Sequence, residues 1–179
     1  MMKTLKLPLV LVALVALTGS AAPHATAGAT ESAAAQMLLP FKGTLNGRHA
    51  SRTPLAPPLV FDRFEAGGQA TGLGQFALVI ESTVNFGARP VTGVGTYPFT
   101  AANGDRLVAD HTGSSALVRP GTVLITEHAV IDPDLSTGRF AGAEGTFVVE
   151  RLADAATGVG GRTSGSFTGS VVLPRSGQD

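Results

Sequence analysis

Glu127 is the residue of this chain best suited to chemistry. It sits in the stretch Thr122 to Asp132, where Val123, Ile125, Ala129 and Ile131 recur at every second position. In an extended strand those positions share one face, so Glu127 becomes a carboxylate on an apolar side. Burial there disfavours the charged form and raises the pKa, which is how a general acid or a ligand anchor is made. Glu127 is therefore the candidate catalytic residue. Two other arrangements meet the same pattern: a twist or bulge that turns Glu127 outward, or a structural ion pair with an arginine such as Arg106 or Arg151. His128 faces the other way with Leu124, Thr126 and Val130, and adjacent strand residues cannot act on one substrate inside a closed sheet. His111 shares the face of Leu107 and Ala109, opposite Asp110. It is either a pocket base or a satisfied structural group.

Other chemistry is sparse. His49, His111 and His128 are far apart and lack partnered motifs, so no metal site is expected. Asp132-Pro133-Asp134-Leu135-Ser136-Thr137-Gly138 alternates oxygen side chains as calcium loops do. Its glycine and Glu144 each come one place late for that pattern, and a plain turn uses the same residues. No Gly-x-Ser-x-Gly elbow, phosphate loop or zinc-protease helix occurs, and no cofactor is expected. The aromatic residues are spread over nearly every extended segment. Most must fill a core, while some can line a cavity. Phe76, Tyr97, His111 and Glu127 are accordingly the candidate ligand-binding residues.

The elements that position these residues read as strands. From Met37 on, glycine is about twice the usual ~7% background, and threonine, valine and phenylalanine alternate with small polar residues. The expected strands are Leu38 to Leu45, ended by Asn46-Gly47, then Pro58 to Glu65, Ala70 to Phe86, Val91 to Thr100, Arg106 to Gly113, Thr122 to Asp132, Arg139 to Leu152 and Thr163 to Leu173. Gly72 and Gly74 suggest a bulge or a sharp bend, and Asn103-Gly104-Asp105 marks a tight hairpin. Four Gly-Thr pairs, at Gly43, Gly95, Gly121 and Gly145, read as shared strand starts. Eight strands in sequence order leave two edges unless the sheet closes, so the expected fold is a single antiparallel eight-stranded up-and-down barrel, with a two-sheet β-sandwich as the alternative. The last strand alternates Phe167, Val171 and Leu173 with serine and threonine, which predicts a dry lumen and a hydroxyl-rich exterior. Few aromatics, scattered arginines and a polar C-terminus argue against an outer-membrane barrel.

Lys3 and Lys6 precede an apolar run from Leu7 to Leu17, and small residues follow, with Ala25-Thr26-Ala27 the best cleavage match. The expected organisation is a signal peptide at 1–27, a flexible leader at 28–36, a β-barrel domain at 37–174 and a tail at 175–179, with a secreted or periplasmic product. An uncleaved anchor is the alternative, although the apolar run is too short to span a bilayer. Leu17-Thr18-Gly19-Ser20 has serine where a lipobox requires cysteine, so no lipid anchor can form there. The chain contains no cysteine at all, which excludes thiol nucleophiles, zinc-thiolate sites and disulfides. After cleavage eleven basic residues face thirteen acidic ones, a balance that argues against nucleic acid.

Three phrases carry a resemblance. Gly68-Gln69-Ala70-Thr71-Gly72-Leu73-Gly74-Gln75-Phe76, Ala101-Ala102-Asn103-Gly104-Asp105-Arg106-Leu107 and Ser136-Thr137-Gly138-Arg139-Phe140-Ala141-Gly142-Ala143-Glu144-Gly145 resemble, in that order, motifs of small secreted bacterial proteins similar to the allene oxide cyclase barrel, a fold shared with plant dirigent proteins. The resemblance implies a barrel with a mostly apolar interior, sometimes trimeric. Its phrases are turns and strand entries and carry no catalytic residue to a matched position; Gly72 stands where that pattern often has histidine. The functional expectation is a non-enzymatic barrel that binds a small apolar ligand or a surface, with a homo-oligomer as an allowed state. A cyclase or isomerase of a small lipophilic substrate using Glu127, and a structural envelope protein, are the alternatives.

Overall fold

Alternation of side chains governs the described residues, 37–174, of the computed structural model. Phe76, Leu78, Ile80 and Ser82 are buried while Gln75, Ala77, Val79 and Glu81 face outward, the period of two that a strand with one wet face requires. The strands are β1 (Met37–Pro54), β2 (Leu59–Ala70), β3 (Gly74–Asn85), β4 (Val91–Ala101), β5 (Arg106–Arg119), β6 (Thr122–Ile131), β7 (Glu144–Asp154) and β8 (Arg162–Leu173), and the same rule prevails in them except in β5, where Leu107, Val108 and Ala109 are buried in succession. Each strand pairs antiparallel with its neighbours in sequence, and β1 pairs with β8 from Met37↔Leu173 to Arg48↔Arg162. The sheet is thus a closed eight-stranded up-and-down barrel with no free edge. The expected export signal, leader and tail lie outside the described residues.

Several expected boundaries move, for steric reasons. β1 runs straight through Asn46-Gly47, because Gly47 finds ladder partners on both sides, Ala66 in β2 and Thr163 in β8. Gly72, with φ of +78°, lies in the β2–β3 turn and Gly74, with φ of +70°, opens β3, so the expected sharp bend is the hairpin turn itself and no bulge within a strand. Gly138–Phe140 is a short 3-10 turn, so β7 starts at Glu144 and not at Arg139. Gly43 and Gly95 are not strand starts. Both lie mid-strand, where a Cβ would meet Phe167 Cζ at 2.4 Å and the Glu81 carbonyl oxygen at 1.8 Å respectively. Asp132 closes the turn that follows β6, its Oδ1 accepting from the backbone N–H of Asp134 at 2.9 Å and of Leu135 at 3.1 Å.

An up-and-down barrel has two ends, and this one treats them differently. The turns after β2, β4 and β6 gather at one end, where Leu73 and Phe140 are buried against the core. Arg139 ties these turns together, donating to the Leu73 carbonyl at 3.3 Å with its guanidinium 4.9 Å from the Phe140 ring centre. The connections after β1, β3, β5 and β7 surround the other end, which is open.

Candidate functional site

The capped half of the lumen is solid. Phe41, Phe76, Phe99, Phe147 and Phe167 point inward from five strands and pack edge-on or tilted, with ring centres 4.9–6.0 Å apart. Phe76, a candidate ligand residue, belongs to this filled half and does not line the open one.

Above the phenylalanines the lumen turns polar, and the expectation of a dry interior fails there. Glu127 faces inward as its strand pattern predicts and is 3% exposed. Arg151 comes from the neighbouring strand, beside Ile125 in the β6–β7 ladder, and grips the Glu127 carboxylate with two parallel bonds of 3.0 Å, from Nε to Oε2 and from Nη2 to Oε1. Tyr97 donates its hydroxyl to the same Oε2. Arg151 Nη1 donates to Thr163 Oγ1 at 3.3 Å, and the guanidinium lies 4.5 Å from the Phe64 ring centre. Among the described residues these bonds use three of the five guanidinium N–H groups.

His111 and Ser82 meet across a missing side chain. In the ladders Gly95 is the partner of both Ser82 on β3 and His111 on β5, so the level between them is empty. Ser82 Oγ therefore reaches His111 Nε2 at 3.0 Å. The other ring nitrogen, Nδ1, is buried without a hydrogen-bond partner among the described residues and lies 3.8 Å from Glu127 Oε1. A second cluster stands nearer the mouth. A register shift between His49 and Ser51 re-aims β1 so that Arg52 pairs directly with Asp62. Arg52 Nε and Nη2 donate to the two Asp62 oxygens at 2.7 Å each, and His49 Nε2 lies 3.2 Å from Oδ1 while its ring stacks on Phe64.

Electrostatics reverses one expectation. Burial alone pushes the Glu127 carboxyl up, as an apolar strand face predicts, but the Arg151 charge and hydrogen bonds outweigh it and hold the group below its ordinary value. Glu127 is thus held as an anchored carboxylate by Arg151. Burial, reinforced by Arg151 and opposed by Glu127, lowers the His111 pKa, so the imidazole is neutral at pH 7. Burial first, then the Glu127 charge, pushes the Tyr97 phenol well up.

These directions predict a two-stage loss of stability in acid. Unfolded His111 takes a proton near its ordinary 6.5 while the folded group resists, so stability falls as pH drops below about 6.5. The ionised Glu127 contributes stability that is complete above its ordinary 4.5 and is lost as pH falls through the lower folded value. Chemical denaturation across pH 3–8 checks this, and His111→Gln should flatten the upper stage; an upper stage unchanged in that variant would refute the assignment.

The open half is a cavity of about 210 Å³. Ser82, Glu127, Arg151, His49 and Asp62 form its polar part, and Phe64, Val84, Val91, Val123, Ile125 and Ala153 contribute apolar wall. Of the four candidate ligand residues only Glu127 lines it; Tyr97 and His111 stand directly behind Glu127 and Ser82. Sequence reasoning named Arg151 only as an ion-pair partner and missed Ser82, His49, Arg52 and Asp62. The signal for His49 was its even spacing with Phe41 and Leu45, visible once β1 is allowed to pass Gly47. Asp62 was masked because Phe61 and Phe64 fall on opposite faces of β2.

Fold and site together define a small up-and-down β-barrel whose lumen is filled at one end and hollow at the other, with a buried ion network between. Comparison with protein-family models, curated proteins and solved structures finds no match in any of the three. The three phrases on which the expected resemblance rests all lie at or beside the capped end, around the turns after β2, β4 and β6. Gly72 is exposed there, remote from the cavity lining.

Proposed function

We propose that the barrel binds one small, mostly apolar molecule carrying a single oxygen group, with that oxygen directed at Arg151 and Ser82. The observation that carries this reading is the hollow half of the lumen: an apolar wall over a floor whose cation keeps spare N–H donors. An apolar cavity of about 150 Å³ holds benzene, so the roughly 210 Å³ here suits a fused two-ring molecule. Both arginines are already paired with carboxylates, which favours a neutral ligand over an anion. Leu55, Phe86, Leu117, Val118 and Val159, on the segments around the mouth, are exposed and supply an apolar approach. The allene oxide cyclase-like resemblance and export from the cell are parts of the same proposal.

Gly93 offers a clean test. It lines the cavity, and a Cβ there would have no neighbour closer than 3.8 Å, so a larger side chain enters free space. Calorimetric titration with 2-naphthol should show saturable one-to-one binding, weakened in Gly93→Leu by about tenfold or more, equivalent to ~1.4 kcal/mol. Equal binding by both proteins, or none by the parent, would sink the proposal.

A further inference from the structure

We propose that Ser82, His111 and Glu127 form a nucleophile, a base and an orienting carboxylate, and that the barrel hydrolyses small neutral esters of the apolar class its cavity accepts. The inference rests on the binding reading above, because the ester must enter the same cavity.

Position comes first. Ser82, His111 and Glu127 project inward from β3, β5 and β6, and Ser82 and Glu127 both line the cavity. Ser82 Oγ lies 3.0 Å from His111 Nε2, within reach for proton transfer. The tautomer follows from the other nitrogen. His111 Nδ1 faces Glu127 Oε1 at 3.8 Å with no other partner among the described residues. A lone pair there would oppose the carboxylate, whereas an N–H is attracted to it, so the catalytic tautomer carries its proton on Nδ1, in competition with the Glu81 backbone carbonyl that also faces the ring. Nε2 is then left as an acceptor for the Ser82 hydroxyl. Glu127 cannot turn away, because Arg151 holds both of its oxygens and Tyr97 donates to one of them.

The chemistry balances with water as the only co-reactant. The Ser82 oxygen bonds to the acyl carbon as its proton passes to His111 Nε2. The bond from that carbon to the alcohol oxygen breaks, and the alcohol leaves with the same proton. Water then attacks the acyl-serine, gives a proton to Nε2, and the carboxylic acid departs as Ser82 regains its hydrogen. The imidazolium formed in each half faces the Glu127 charge. Arg151 lines the cavity and keeps N–H groups beyond those given to Glu127 and Thr163, and these would be the donors for negative charge on the carbonyl oxygen.

The test uses the barrel with 4-nitrophenyl butyrate as substrate and a fluorophosphonate as trap. The parent protein should turn over the ester and carry one phosphonyl group, mapped to Ser82 by peptide mass spectrometry. Ser82→Ala should lose both, with 2-naphthol binding weakened but retained through Arg151, and His111→Gln should slow turnover by about 10²–10⁴-fold. Trap on another residue, or none on Ser82 in parent protein that binds 2-naphthol, overturns the catalytic proposal and leaves the binding reading standing. Failure of the parent to bind 2-naphthol, with no label on Ser82, ends both.

Discussion

Arg151→Met should destabilise the barrel by about 3–5 kcal/mol at neutral pH, because it leaves the buried Glu127 carboxylate without its cation. Arg151 is 2% exposed and Glu127 3%, so water cannot replace the lost partner without opening the lumen. Tyr97 alone would remain as a hydrogen-bond donor to Glu127, and burial, the largest influence on His111, still opposes a compensating imidazolium once Arg151 is gone. In the variant the Glu127 pKa should therefore move from below its ordinary value to above it. The sign of the pH dependence follows. The variant gains relative to the parent as pH falls, since a protonated Glu127 no longer needs the cation. Urea denaturation of both proteins between pH 4 and 8 measures this, and a stability gap that is constant across that range would show that packing loss dominates. The pair Glu127→Met with Arg151→Met should recover most of the loss, because two apolar side chains of similar volume leave no charge buried.

Phe99→Ala should cost a similar ~3–5 kcal/mol through a different mechanism, the void left in a close-packed interior. Phe99 has no exposed surface and lies within 5.1–5.9 Å, centre to centre, of Phe41, Phe76, Tyr97, Phe147 and Phe167. No neighbour can collapse into its place, because the inward residues around it come from β1, β3, β4, β7 and β8, which the closed sheet holds apart. The loss should be independent of pH over the range in which Arg151→Met is sensitive. Binding at the opposite end should survive under conditions where the variant is folded, since Phe99 does not line the cavity. Thermal unfolding combined with 2-naphthol titration separates the two quantities; loss of binding from a fully folded variant would mean that the two halves of the lumen are coupled.

The contrast between these residues shows where sequence patterning carries and where it stops. The strand count, the up-and-down order and the inward face of Glu127 follow from a period of two between turn residues, and each of those is a local property. The Asn103-Gly104 hairpin was legible for the same reason. Asn46-Gly47 has the same composition but is not a turn, because two neighbouring strands offer it ladder partners, and that depends on residues far along the chain. The Gly-Thr pairs at Gly43 and Gly95 misled in the same way, since a mid-strand glycine and a strand-start glycine look alike until the opposing wall is known.

The site itself was half visible. An apolar strand face predicted a buried Glu127 with a raised pKa, and burial does push it that way. The direction is reversed by Arg151, whose closeness is set by the β6–β7 register and not by any local motif. Ser82 and His111 are 29 residues apart and meet only because Gly95 leaves a gap between their strands. Hydrophobic alternation is written along the chain and specifies which residues enter the lumen. Barrel closure and ladder register are properties of the whole sheet, and they determine which of those residues touch, which are charged, and where the lumen stays hollow.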